Sequence, residues 1–259
     1  MARPLSTGLL THAASLLRQA QRAVALTGAG ISTPSGVPDF RSAGSGLWEN
    51  VDPMEVATLS AFRHNPARFY DWVRPLALQI LQAEPNPAHM ALARLERAGH
   101  LRGVVTQNID DLHRKAGSEH VLELHGHLRE ATCVRCFHLF PTATLIQAWL
   151  ESGSVPRCPD CGGILKPNAV LFEEQLPHDV VRQARQWMQT AEVVLVVGSS
   201  LEVMPAALLP AEAANAGARV IIINREPTYL DERADAVLRQ DVAEVLPQLV
   251  DEVLSETRL

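Results

Sequence analysis

The chain has 259 residues, 47% hydrophobic and 20% charged, with 23 basic and 29 acidic side chains for a net charge of −6. These values fit a globular protein able to bury its own core, and they exclude the disordered and fibrous classes. No run of Lys and Arg occurs, which argues against non-specific nucleic-acid or anionic-membrane binding and leaves a basic protein tail as an admissible substrate.

The N-terminal leucines, Leu9, Leu10, Leu16 and Leu17, are broken by Thr11, His12 and Ser15 at helical spacing. This predicts a first amphipathic helix of a cytoplasmic protein, not an export signal. Val24-Ala25-Leu26 then reads as a buried strand running into Gly28-Ala29-Gly30, a turn that brings the backbone close to a pyrophosphate. Thr33 stands where a dehydrogenase fingerprint has its third glycine, and Pro34 and Pro38 prevent a helix from following directly. The same strand-then-loop pattern recurs at Gly103–Thr106 before Gln107-Asn108-Ile109-Asp110, at Val193–Val197 before Gly198-Ser199-Ser200, and at Val220–Ile223 before Asn224.

Continuous β-branched runs suit strands covered on both faces. Between them, Asn86 caps a helix with Pro87 in its first turn and Gly99 at its end. A second helix is expected over Pro205–Gly217, kinked at Pro210. The longest apolar runs are far too short to span a bilayer. The expected fold is α/β, a Rossmann-like doubly wound parallel sheet with a smaller zinc-binding and helical domain inserted. Residues 1–41, 85–127 and 168–259 form the discontinuous nucleotide-binding domain, 42–84 the helical part of the small domain, and 128–167 the cysteine-bearing module, read as having little regular structure.

Cys133-x-x-Cys136 and Cys158-x-x-Cys161 are two knuckles whose separation lies just beyond the usual range and still allows four thiolates around one tetrahedral Zn²⁺. Four sulfurs leave no open coordination position, so the zinc is expected to be structural and catalysis to lie elsewhere. Gln107, Asn108 and Asp110, at the carboxyl end of a strand, offer groups for a sugar or carboxamide; Asn108 and Asp110 can equally cap the next helix. His125 precedes Gly126 at the end of a short strand, Val121–Leu124, and gains meaning only from its neighbours.

Taken together, "GAGIS", "SGVPDFR", "TQNID", His125-Gly126, the paired knuckles, "KPNAVLF", "GSSLEVMPA" and "IIINREPT" resemble the sirtuins in order and rough spacing, from about Ala20 to Val242. The resemblance is to a bacterial-type sirtuin, an NAD-dependent protein-lysine deacylase. It implies NAD as co-substrate, one structural zinc, an acyl-lysine protein or peptide partner, and neither nucleic acid nor membrane. It implies that Gly28, Ala29, Gly30 and Ser32 approach the phosphates while Asp39, Phe40 and Arg41 form a flap over the nicotinamide ribose. Gln107, Asn108, Ile109 and Asp110 would hold nicotinamide and its ribose, with Asn108 and Asp110 favouring cleavage of the bond between them. The acyl oxygen then attacks the ribose carbon, and His125 is the general base on a ribose hydroxyl. Gly198, Ser199, Ser200, Asn224, Arg225 and Glu226 match positions at the phosphates and adenosine ribose, and Val242 a position near adenine.

Val170 and Phe172 match the segment that pairs with substrate as an added strand. The family often has glycine after this phenylalanine, whereas Glu173 stands here, expected to narrow the groove or favour basic peptides. Succinyl and malonyl deacylases resemble one another in a Tyr-x-x-Arg pair. This chain instead has Tyr70 and Arg74, four apart on one helix face, either an acidic-acyl pocket or a structural ion-pair residue. Acetyl or another apolar acyl group is the favoured substrate. An ADP-ribosyltransferase on the same fold, a zinc-ribbon binding module and a non-catalytic NAD sensor are the competing readings, and the oligomeric state is left open.

Overall fold

The structure is a computed structural model that describes residues 7–39 and 51–255. Among these residues the strands are β1 (Ala23–Thr27), β2 (Val104–Thr106), β3 (Val121–Glu123), β4 (Gly126–Cys133), β5 (Leu139–Pro141), β6 (Leu165–Ala169), β7 (Val193–Val197), β8 (Arg219–Ile223) and β9 (Ala236–Leu238). The helices are α1 (Thr7–Gln19), α2 (Pro53–Val56), α3 (Leu59–His64), α4 (Pro66–Gln82), α5 (Pro87–Arg97), α6 (Leu112–Lys115), α7 (Ala143–Ser152), α8 (His178–Thr190), α9 (Leu209–Asn215) and α10 (Val242–Ser255).

All five residues of β1 and of β7 are buried, as their apolar runs require of central strands. They pair in parallel, and the full sheet runs β3-β2-β1-β7-β8-β9, parallel throughout. Alternation along β7 divides the core. Val193, Leu195 and Val197 pack with Leu17 of α1, Leu92 of α5 and Leu249 of α10, while Val194 and Val196 pack with Met188 of α8 and Leu209 of α9. Burying each such side chain contributes about 1.5–3 kcal/mol, so covering both faces makes this sheet the rigid base of the molecule. The chain reverses direction across the sheet between β1 and β7, the switch point where open α/β sheets bind ligands.

The second sheet, β5-β4-β6, is antiparallel. It corrects the expectation of little regular structure in 128–167: β4 is half-buried along most of its length, so its sequence shows no clean apolar alternation. β4 and β6 also run across the expected boundaries at 127/128 and 167/168. Pro210 is a second correction. It lies in the first turn of α9, where a missing N–H costs nothing, and a separate 3₁₀ turn occupies Ala206–Leu208, so no long kinked helix forms. The Asn86 cap appears as expected, its Oδ1 accepting from Ala88 N–H at 2.9 Å, and no helix of the described residues is long and apolar enough to cross a membrane.

Candidate functional site

Two loops meet at the switch point with almost no space between their backbones. Gly30 N–H donates to the Gly198 carbonyl at 2.9 Å. A Cβ built on Gly30 would stand 2.8 Å from that oxygen, and one built on Gly198 would stand 2.2 Å from the Ile31 nitrogen. The glycines are therefore needed for close approach of the loops to each other as well as to a ligand. The N–H groups of Gly28, Ile31 and Ser32 are also taken, by Val197, Gly28 and Ala29 carbonyls. Ala29, between them, lines the cleft.

Ser32 is the hub beneath this loop. Its hydroxyl donates to Asp110 Oδ2 at 2.6 Å and accepts from Asn108 Nδ2 at 3.0 Å. Asn108 Nδ2 also donates to the Gly28 carbonyl at 3.1 Å, so the loop after β2 is fastened to the loop after β1. Asp110 Oδ1 accepts from Leu112 N–H at 3.0 Å, so Asp110 both holds the first N–H of α6 and lines the cleft. Burial raises its carboxyl above the ordinary range, against the opposing Ser32 and Leu112 hydrogen bonds.

His89, not singled out from the sequence, completes the cluster. Its Nδ1 accepts from Asn86 N–H at 3.3 Å, which leaves Nε2–H to face the Ser32 hydroxyl at 3.5 Å. Burial pushes its pKa down to about 4. His113 lies behind it, ring centroids 4.9 Å apart, and donates from Nε2 to Thr27 Oγ1 at 2.8 Å. A His-to-Ser contact across 57 residues gives no sequence signal; the buried polar position on an otherwise apolar helix face was the available clue.

His125 opens into the same cleft. Its Nδ1 lies 2.9 Å from the Gln107 carbonyl, which only accepts, so the proton is on Nδ1 and Nε2 carries the lone pair. Burial lowers its pKa, opposed by the Gln107 hydrogen bond, so the ring is neutral at pH 7. Gln107 also donates from Nε2 to Ser199 Oγ at 3.0 Å, joining the β2 and β7 loops.

The cleft, about 1230 Å³, is lined by Gly28, Ala29, Gly30, Ser32 and Asp39 from the first loop and by Gln107, Asn108, Ile109, Asp110 and His125 from the second and third. Gly198, Ser199, Ser200, Asn224, Arg225, Glu226 and Val242 complete its far end. There Asn224 Nδ2 donates to the Glu226 carbonyl at 2.8 Å, Arg225 pairs with Asp241, and Glu226 is exposed. The structure thus brings together the expected cofactor residues that it describes. Phe40 and Arg41 lie outside the described residues.

Of the expected substrate residues, Tyr70, Val170 and Phe172 line the cleft. Tyr70 is buried and its hydroxyl donates to the Leu165 carbonyl at 2.5 Å. Arg74 donates to the Leu150 carbonyl at the end of α7 and does not line the cleft. The two polar ends are spent on separate carbonyls and form no acyl-carboxylate pair. At Phe172, N–H donates to Ala57 at 2.9 Å and the carbonyl accepts from Leu59 N–H at 3.0 Å, a parallel bridge to Thr58 that occupies this edge. Val170 N–H donates to the His125 carbonyl at 2.8 Å, tying the segment to the histidine.

The four cysteine sulfurs lie within 4.8 Å of one another, with Cys133 and Cys161 at 3.5 Å and Cys136 and Cys158 at 3.7 Å. A tetrahedral zinc with sulfurs at about 2.3 Å requires edges of about 3.8 Å, so the donor set fits the ion. A Cβ on Gly163 would come within 2.7 Å of Cys133 Sγ, so the knuckle turn also requires its glycine. Arg129 fastens this module to the loop after β2 and to β3, reaching Asp111 at 2.5 Å and Glu123 at 2.5 and 2.7 Å.

Comparison with known proteins places this geometry. The chain is 46% identical over 251 residues to NAD-dependent protein deacetylase 1 of Pyrobaculum aerophilum, covering 97% of each. It is 44% identical over 245 residues to NAD-dependent protein deacylase 2 of Archaeoglobus fulgidus, covering 94% of this chain and 96% of that one. Both organisms are archaea, so these relatives support the sirtuin reading and not its bacterial type. A solved Sir2 with a p53 peptide and NAD+ is 41% identical with a TM-score of 0.84, covering 92% of this chain and 95% of that one. The Sir2 family model matches residues 28–205, from the first glycine of the cleft through both cysteine knuckles, and the chain belongs to the Sir2 family, the sirtuins.

Proposed function

We propose that the chain is an NAD-dependent protein-lysine deacylase that converts acyl-lysine, NAD and water to free lysine, nicotinamide and 2′-O-acyl-ADP-ribose. The observation that carries the assignment of roles is His125: a neutral imidazole with Nδ1–H tied to Gln107, in the same cleft as Asn108 and Asp110. Bound NAD supplies a ribose carbon that takes up the acyl oxygen as nicotinamide leaves. The chain's own groups do the rest. Ala29 and the Ser199 hydroxyl face the phosphates, Asn224 and Glu226 the adenosine ribose, and Asn108 and Asp110 the nicotinamide end. His125 Nε2 takes a proton from a ribose hydroxyl, a task suited to a neutral base near pH 7.

The four thiolates hold zinc as a structural ion, since no ligand position is left for water. Residues 1–41, 85–127 and 168–259 serve as the nucleotide-binding unit, with 42–84 and 128–167 forming the second wall of the cleft. Because Tyr70 and Arg74 are engaged with main-chain carbonyls, a neutral acyl group such as acetyl is the preferred substrate. The substrate peptide adds at the Glu173 end of Val170–Glu173, because the N–H and carbonyl of Leu171 are held by Glu174 and those of Phe172 by Ala57 and Leu59. A bacterial type and a cytoplasmic location belong to the same proposal, supported by the motif resemblance and by cysteines arranged for metal.

The test is incubation with NAD and acetyl-, succinyl- and long-chain-acyl-lysine peptides, with products followed by mass spectrometry. Acetyl-lysine is expected to be cleared faster than succinyl-lysine. ADP-ribose appearing on protein, without free lysine, would replace this reading with a transferase.

A further inference from the structure

Glu173 lies in the left-handed region at φ +72, a conformation that glycine adopts freely and other residues seldom do. Its side chain is held there. One carboxylate oxygen accepts from Ser60 N–H at 2.9 Å and the other from Ser60 Oγ at 3.0 Å, in the first turn of α3. With the Phe172 bridge beside it, residues 172 and 173 are fixed against the start of that helix. The carboxylate therefore occupies a set position on the exposed mouth of the cleft.

Charge at this mouth is unbalanced. The arginines that line the cleft already have carboxylate partners: Arg185 with Glu212 at 3.6 Å, and Arg225 with Asp241. Glu174 is matched by Lys166 at 2.9 Å. Glu173 meets no cation among the described residues, and Ser60 uses only part of the acceptor capacity of a carboxylate.

We propose that Glu173 makes the enzyme select acyl-lysine chains carrying a lysine or arginine next to the acylated residue. This rests on the deacylase reading and on a peptide adding at the Glu173 end of Val170–Glu173. A carboxylate already fixed by Ser60 loses little freedom when a basic side chain docks on it. Its exposure keeps the effect moderate and sensitive to salt.

The experiment gives wild type, Glu173→Gln and Glu173→Gly a mixture of two acetyl-lysine peptides, alike except for a lysine or a glutamate adjacent to the acetyl-lysine. The ratio of the two kcat/KM values is read by mass spectrometry, so a general change in active enzyme cancels. Gln keeps an acceptor for Ser60 N–H and removes only the charge; Gly suits φ +72 and removes both charge and tie. Wild type is expected to favour the lysine-flanked peptide, and both variants to lower that ratio roughly two- to fivefold, with raised salt moving wild type toward them. An unchanged ratio in Glu173→Gln overturns the proposal, including the case where only Glu173→Gly differs, while continued deacylation leaves the parent reading standing. Failure of wild type to deacylate either peptide overturns both.

Discussion

His125 Nδ1–H and the Gln107 carbonyl, 2.9 Å apart, decide which imidazole nitrogen is left with a lone pair, because the nitrogen that holds the hydrogen bond cannot also take a proton. His125→Ala is expected to lower deacylation by roughly 10²–10⁴-fold, with NAD affinity within a few-fold of wild type, read by turnover and by calorimetry. Retained turnover would remove His125 from the role of base. Since burial lowers its pKa, the acid limb of the wild-type rate is expected to lie at lower pH than that of an ordinary histidine.

Stability has its own acid limb. His89 is buried with a pKa near 4, against about 6.5 when unfolded, so between these values the unfolded chain binds a proton that the folded chain does not. Folding free energy is expected to fall as pH drops from about 6.5 toward about 4, by roughly 3 kcal/mol for this residue. His113, depressed in the same direction, adds to the loss. Denaturant titrations of wild type and His89→Gln across this range check it: a slope equal in both would show that His89 is not the source.

The contact between the two glycine loops can be separated from backbone strain. Gly198→Ala puts a Cβ 2.2 Å from Ile31 N, whereas Gly36→Ala, at φ +82, meets nothing within 4 Å. The second should cost roughly 1–2 kcal/mol from conformation alone. The first should cost more than about 3 kcal/mol and weaken NAD binding as well. Equal melting temperatures for the two would contradict the close approach.

Removing a zinc ligand should act on the fold, not on the chemistry directly. Cys158→Ser is expected to lose stoichiometric zinc and to lower the melting temperature together, as seen by elemental analysis and calorimetry, since metal binding at such sites is folding free energy. A stable, active, zinc-free variant would contradict the structural assignment.

Much of this was legible because the physics is local. Val193–Val197 has to be buried on both faces, two C-x-x-C knuckles have few other uses, and the loop after β2 sits where ligands bind. What escaped was non-local. The β4 strand is half-buried and mixed in character, so its pairing with β5 and β6 left no alternating pattern. Glu173 and Ser60 are 113 residues apart, and nothing in either segment announces the other. Arg74 shares a helix with Tyr70, as the spacing said, yet turns to the Leu150 carbonyl, an acceptor freed by the end of α7.

The measurement that bears most directly on the central claim is the stoichiometry of one turnover: free lysine, nicotinamide and acyl-ADP-ribose quantified together from an acetyl-lysine peptide, with and without NAD. Equal amounts of all three, and no lysine without NAD, are the predicted result. Lysine freed without NAD, or nicotinamide released while the peptide keeps its acetyl group, would contradict it.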